Sequence, residues 1–405
     1  MKSKKFAALM LAVAFIALPA APFVATAQAD QPVQKQADAP SKSPAQVQEM
    51  IDKATSYLKD QQNPDGSFGD ARMPPAVTAL ILRGLAQDEK YPYTNDITKK
   101  GYDWLVAQQK PDGGIYKDML ENYNTAISIS ALAVVKDQPA IKPALEKAVA
   151  YMKGTQWKAD SKGPNGEAPG DPKYNAWEGG FSYNPKHGRP DLSNVHFSIQ
   201  ALYDAGLSPD DPAFKAAQKF LTRSQNRSES NDQPFAGNDG GFIYSPANGG
   251  DSEAEDYVGP DGKKMWRSYG TMTYAGIKSM IYAGISKDDP RVKAAIDWTR
   301  ANWTFDENPG LRLNDPKQAQ DGMFYLYQMM AKALHAYGQP VITDTKGVAH
   351  DWREELIAKL ASLQKPDGSW VGGQRWMENM PLITTSYTVL ALEEVKKDLA
   401  EHPAK

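Results

Sequence analysis

Gln62-Asn63-Pro64-Asp65-Gly66-Ser67-Phe68 closes one helical pattern and opens another. The same punctuation returns as Gln109-Lys110-Pro111-Asp112-Gly113-Gly114 and as Gln364-Lys365-Pro366-Asp367-Gly368-Ser369-Trp370. Near-copies spread from one end of a chain to the other mean a fold assembled from repeats, each burying its apolar face against its neighbours. The turn chemistry suits abrupt helix endings: proline presets the first turn angle, aspartate bonds nearby amides and glycine supplies positive φ.

Working outward, each turn separates a helix with one apolar stripe from a second that is apolar nearly all round. Val47, Met50, Ile51, Ala54, Tyr57 and Leu58 form the first stripe, and Val77 to Leu85 is the apolar partner. Degenerate copies continue the pattern. The second unit leads from Tyr102, Leu105 and Val106 to the run 125–132, and the third from Leu145, Val149 and Met152 through Gln156-Trp157 to 195–202. The fourth leads from Phe214, Ala217 and Leu221 to 271–281, the fifth from Val292, Ile296 and Trp303 to 323–334, and the sixth from Leu356, Leu360 and Leu363 to 385–392. The spacing predicts six helical hairpins. Striped helices belong on an outer surface, whereas the apolar ones need cover on both sides. The expected fold class is therefore all-α, an α/α toroid with an inner and an outer helix barrel.

The Gln-x-x-x-Gly-x-Trp/Phe pattern resembles the QW repeats of the terpenoid cyclase and protein prenyltransferase superfamily, which includes squalene-hopene cyclase. The resemblance covers roughly 46–395 and is strongest in units one, two and six. It implies a central cavity for polyprenyl or triterpenoid chains. Class II cyclases of that family protonate an alkene with an Asp-x-Asp-Asp motif opening an inner helix, and alignment on Ala201-Leu202 puts it at Asp191-Leu192-Ser193-Asn194. Only the first acid is kept. A strong carbon-protonating acid needs neighbouring carboxyls, which Ser and Asn do not provide. The zinc of prenyltransferases needs a cysteine, and the chain has none. Complement-type thioester domains share the fold, but their Cys-Gly-Glu-Gln motif is excluded for the same reason.

On this reading the catalytic candidates are Asp191, Glu121 and His196, although Asp191 and the Glu121-Asn122-Tyr123-Asn124 stretch equally read as helix-capping chemistry. The ligand-binding candidates are Tyr123, Asn124, Asn194, Phe197, Tyr269, Tyr274, Tyr325, Tyr327 and Tyr387, on or beside the inner helices. Aromatic rings shelter apolar ligands and stabilise cations through their π faces. No metal site is expected, because neither His196 nor His335 has the i, i+4 arrangement of a zinc helix. No cofactor is expected. The insertion 231–267, with Asp251, Glu253, Glu255, Asp256 and Asp261, lacks the acid spacing of an EF-hand and reads as a lid over one rim.

Lys2, Lys4 and Lys5, the apolar run Phe6 to Leu18 and Ala27-Gln28-Ala29 together read as a secretory signal, 1–29. Residues 30–45 read as a disordered linker, 46–395 as the toroid and 396–405 as a C-terminal tail. Export to the periplasm or beyond follows, with no membrane span in the mature chain. Removing 1–29 takes away three lysines and no acids, so the net charge moves from -3 to -6. That balance argues against nucleic acid as a partner. With zero cysteines an exported chain has no disulfides, and stability rests on packing. The reading is thus a monomeric, exported toroid binding an apolar small molecule. The alternatives are a cyclase- or prenyltransferase-like enzyme with altered acids and a rim-binding scaffold for peptide or glycan.

Overall fold

The glutamine that closes an outer helix uses its side-chain amide twice. Gln62 Nε2 donates to Gly66 O of its own turn at 3.1 Å and to Ile97 O in the first turn of the next outer helix at 2.8 Å. Gln109 bridges Gly113 O and Ala144 O, Gln156 bridges Gly179 O and Ala213 O, and Gln225 bridges Gly240 O and Arg291 O in the same way. Gln364 donates to Gly368 O and, across 314 residues of chain, to Met50 O. This last bond joins the final unit to the first.

The turn glycines are fixed by the same seams. Gly66, Gly113, Gly179, Gly240 and Gly368 all have positive φ. A Cβ on Gly179 would lie 1.9 Å from Ala216 O of the adjacent outer helix, and one on Gly66 2.3 Å from Lys100 O. The residue two beyond each glycine turns inward instead. Phe68, Ile115, Phe242 and Trp370 donate their N–H groups to Thr78, Thr125, Thr273 and Thr385 near the starts of inner helices. One turn therefore locks three helices.

The computed structural model describes residues 44–168, 170–184, 188–311 and 316–403. Among them are twelve α-helices. The outer ones are α1 (Pro44–Lys59), α3 (Asp96–Ala107), α5 (Lys142–Thr155), α7 (Pro212–Ser224), α9 (Pro290–Ala301) and α11 (Trp352–Leu363). The inner ones are α2 (Pro75–Leu85), α4 (Glu121–Val134), α6 (Leu192–Asp204), α8 (Gly270–Tyr282), α10 (Met323–Tyr337) and α12 (Pro381–Glu401). Each inner helix packs on the next around a closed ring, with α12 returning to α2. Burial follows the two sequence types: α1 buries its single stripe, whereas α4 is buried from Asn122 to Ala133 apart from Tyr123. The fold is the expected α/α toroid.

One seam departs from the rule. No glutamine follows α9; Trp303 Nε1 instead donates to Glu355 Oε2 on α11 at 3.0 Å. Two hairpins decorate the rims: β1 (Asp256–Val258) pairs with β2 (Lys264–Trp266), and β3 (Val341–Thr343) with β4 (Ala349–Asp351). The first belongs to the insertion, which is fastened rather than loose. Asn226 Nδ2 reaches Trp266 O at 2.7 Å, Ser252 Oγ reaches Arg267 O at 2.6 Å, and Ala254 is buried.

Two expected boundaries shift. Helix α1 begins at Pro44, so Pro44 and Ala45 belong to the fold and not to the linker, because proline at the first helical position is already set for helix. The tail from 396 is helical through Glu401, and its Asp398 is buried against Arg353 of α11. The signal segment and residues 30–43 lie outside the described residues.

Candidate functional site

The inner helices enclose a cavity of about 250 Å³ that opens at their N-terminal ends. Its wall carries Tyr123, Tyr183, Tyr244, Tyr269, Tyr325 and Tyr387, with Met272 among the apolar lining. Leu120, Trp376 and Met377 form the mouth. These three have left-handed backbones, at φ 56, 55 and 64. Bulky residues adopt positive φ only where the surroundings force it, and such strain concentrates at ligand sites. The two loops meet the insertion there, with Arg375 paired to Glu253 and to Asp321 at 3.5 Å.

Helix periodicity decides which aromatics reach the cavity. Tyr325 and Tyr327 are two residues apart on α10, about 200° around the helix. Tyr325 faces inward, and the Tyr327 hydroxyl instead donates to Phe305 O at 2.9 Å. On α8, Met272 lines the cavity while Tyr274, two positions on, is buried away from it. Tyr274 and Tyr327, expected beside the ligand, therefore do not line this cavity. Phe197 packs behind the wall, 4.9 Å from Tyr123 edge-on and stacked 6.1 Å from Tyr325. Asn124 is structural as well: its Oδ1 accepts from Ala76 N at 3.0 Å and its Nδ2 donates to Met119 O and Leu120 O, tying α4 to α2.

The three catalytic candidates do not share one site. Asp191 caps α6, taking Asn194 N at 2.9 Å and both of its oxygens contacting Asn194 Nδ2. The Asn194 backbone amide and Nδ2 are thereby taken by Asp191, and Asn194 is not among the residues lining the cavity. Burial raises the Asp191 carboxyl to about 7, against the opposing pull of Asn194, Arg189 and the Tyr244 hydroxyl. Glu121 lies in a separate groove of about 490 Å³ on the rim, with Asp112, Tyr116, Tyr151, Trp157 and Asn184. His196 lies under the cavity floor, and its Nε2 hydrogen-bonds the Tyr325 hydroxyl. Burial, then the Lys278 charge, holds His196 well below the usual imidazole range.

Glu378 completes the aromatic end. Its Oε1 accepts from Tyr325 N at 2.9 Å at the start of α10, where unpaired amides attract a carboxylate, yet burial raises its carboxyl to about 7. Every cavity tyrosine has its pKa raised by burial, Tyr123 to about 12, so the hydroxyls are neutral near pH 7.

The opposite end of the barrel interior is charged. Lys332 Nζ pairs with Glu394 Oε1 at 2.8 Å, His335 Nδ1 with Glu394 Oε2 at 2.8 Å, and Arg83 with Asp204 at 2.8 Å. Burial alone pushes Glu394 up, but Lys332 and His335 overcome it and hold the carboxyl well below its usual range. Lys278 stands between the two ends, buried and with its pKa well lowered by burial. Apart from His335, these residues escaped the sequence reading, as did Tyr183 and Tyr244, which approach from loops. A lysine inside an apolar inner-helix run was the signal available for Lys278 and Lys332. Among the described residues no cluster of His, Cys, Asp and Glu is arranged to hold a metal, and no helix is long and apolar enough to cross a membrane.

No protein-family model matches the chain, and no curated protein sequence does. Solved structures do match. A type II terpene cyclase from Scytonema, in complex with merosterolic acid A as product, superposes with a TM-score of 0.52 at 13% identity, covering 88% of this chain and 99% of that one. The alpha-1,6-mannanase GH76A of Salegentibacter sp. HEL1_6, as an inactive variant in complex with alpha-1,6-mannotetrose, gives 0.56 at 10% identity, covering 87% and 99%. At such identities the likeness establishes the architecture, an α/α toroid common to a terpene cyclase and a mannanase.

Proposed function

We propose that the protein is an exported carrier or sensor whose central cavity binds a short apolar ligand of isoprenoid type without cyclising it. The observation that carries this reading is the wall of six tyrosines, closed by Met272, Leu120, Trp376 and Met377. At 250 Å³ the cavity lies just below the roughly 300–1,000 Å³ usual for ligand pockets, which favours a short chain over a folded triterpene. Met119, beside Leu120, is exposed together with Trp376 and Met377, giving the mouth an apolar edge over which such a chain can enter. The Scytonema enzyme, with its merosterolic acid complex, shows that this architecture accommodates terpenoids in one relative by fold.

Binding is favoured over cyclisation by the state of Asp191. Alkene protonation calls for an unusually strong acid backed by neighbouring carboxyls, and the positions after Asp191 hold Ser193 and Asn194 instead. Its oxygens are also engaged by Asn194. Solvent extraction of protein purified without detergent, followed by mass spectrometry, should release an apolar chain-like molecule. Absence of any such molecule, together with no saturable uptake of a fluorescent prenyl probe, would reject the reading.

A second reading concerns the rim groove. It presents the Asp112 and Glu121 carboxylates beside Tyr116, Tyr151 and Trp157, and the buried Trp157 Nε1 has no partner among the described residues. Carboxylates beside aromatic faces suit a saccharide, and the mannanase likeness in fold makes α-mannosides the first class to try. Calorimetric titration with manno-oligosaccharides decides it: Glu121→Gln should weaken any binding seen, and no heat from the unaltered protein would rule the groove out.

A further inference from the structure

Lys278 is an expensive residue to bury, and its neighbours do not neutralise it. Its Nζ lies 3.1 Å from His196 Nδ1, 3.5 Å from His196 O and 4.0 Å from Met329 Sδ, and no carboxylate among the described residues pairs with it. An ammonium has three N–H bonds and no lone pair, so as a cation Lys278 donates to all three neighbours, Nδ1 included. A neutral amine has only two N–H bonds, and with those on the carbonyl and the thioether its lone pair accepts from Nδ1–H instead, so the direction proposed is that of the ammonium. With His196 kept neutral by burial, an accepting Nδ1 leaves the ring proton on Nε2. Nε2 is the atom that meets the Tyr325 hydroxyl.

The direction of every bond in the chain then follows. Lys278 donates to His196 Nδ1, His196 Nε2–H donates to the Tyr325 oxygen, and the Tyr325 O–H is left to donate on the cavity side, where Ser193 lies within reach. Tyr325 lines the cavity beside Ser193, while its ring is held by stacking on Phe197 and by contact with Tyr387 at 5.7 Å. We propose that Lys278 and His196 are positioning residues that orient Tyr325 as a hydrogen-bond donor into the cavity, so that its ligand is an apolar chain ending in a hydroxyl or carbonyl oxygen. The inference rests on the cavity taking an apolar ligand at all. A bare hydrocarbon leaves the Tyr325 O–H no acceptor but Ser193, whereas a ligand oxygen supplies a second.

Two probes of like shape, farnesol and β-farnesene, separate the possibilities by displacement of a fluorescent prenyl probe. The full chain should prefer farnesol about tenfold, the worth of one such bond. Tyr325→Phe should bring the preference to about one, and Lys278→Met should reduce it to about threefold. Nitrogen NMR of His196 in the unaltered protein, assigned by through-bond correlation to its own backbone, should show the Nε2–H tautomer, a readout that does not depend on any variant folding. Equal binding of both probes, a preference that survives Tyr325→Phe, or an Nδ1–H tautomer would each overturn the proposal while leaving the cavity reading intact. Failure to bind either probe would remove the cavity reading and the proposal with it.

Discussion

The two ends of the barrel interior are built from the same six helices and solve opposite problems. At the N-terminal end, neutral groups are kept neutral: tyrosines stay protonated, and Asp191 and Glu378 are raised towards 7 with no cation among the described residues in salt-bridge contact. At the C-terminal end, charged groups are kept charged, because Lys332, His335 and Arg83 find Glu394 and Asp204 within 2.8 Å. Burial penalises ions at both ends; what differs is whether a partner is present to offset it. A barrel can therefore hold an apolar chamber at one end while the other end locks helices α2, α6, α10 and α12 together through ions.

The largest effect is expected from breaking a charged pair. Glu394→Ala strands Lys332 and should cost about 3–5 kcal/mol in denaturant unfolding, whereas Lys332→Met combined with Glu394→Leu should be nearly neutral. A small effect of Glu394→Ala would erase the contrast between the ends. Next comes the closure on which both ends depend. Gly179→Ala puts a methyl 1.9 Å from Ala216 O at positive φ, and a loss of about 2 kcal/mol or more is expected in the same measurement. Gly166→Ala, at positive φ but with nothing near its Cβ, gives the strain-only reference.

The pH response should separate the ends by sign. Asp191 has a folded pKa above its unfolded one, so its folded state holds the proton longer. That contribution is present at low pH and is lost as pH rises through about 7. Asp191→Asn should therefore lessen the stability lost between about pH 5 and about pH 8 by on the order of 2 kcal/mol. Glu394 works the other way: its depressed pKa gives stability above the unfolded carboxyl range, lost on acidification. A pH–stability profile of Asp191→Asn identical to the unaltered protein's would remove Asp191 from this account. The smallest effect is expected at the aromatic end, where Tyr325→Phe keeps the ring packed on Phe197 and should change stability by less than about 1 kcal/mol.

The repeat was legible because its elements are local. A glutamine, a glycine four residues on and an aromatic two beyond that are read straight from the chain, and six apolar runs at similar spacing imply a ring. The cavity wall was legible only in part. Tyr123, Tyr269, Tyr325 and Tyr387 were anticipated and do line it, but Tyr274 and Tyr327 were taken with them, because a helix apolar all round gives no sign of which face looks inward. Tyr183 and Tyr244 come from turns whose course depends on the neighbouring unit, and their hydroxyls meet at 3.3 Å across 61 residues.

By itself, then, the sequence determined the hairpin count, the inner and outer roles of the helices and the lack of cysteine chemistry, all of which follow from periodicity and composition. Only the tertiary structure decided that Asp191 is a buried cap, that Glu121 belongs to the rim and that Lys278 reaches Tyr325 through His196. The physical reason is distance in the chain: 82 residues separate His196 from Lys278 and 129 separate it from Tyr325. Closing the ring sets those separations in space, and with them which ions meet a partner and which hydroxyls face the cavity.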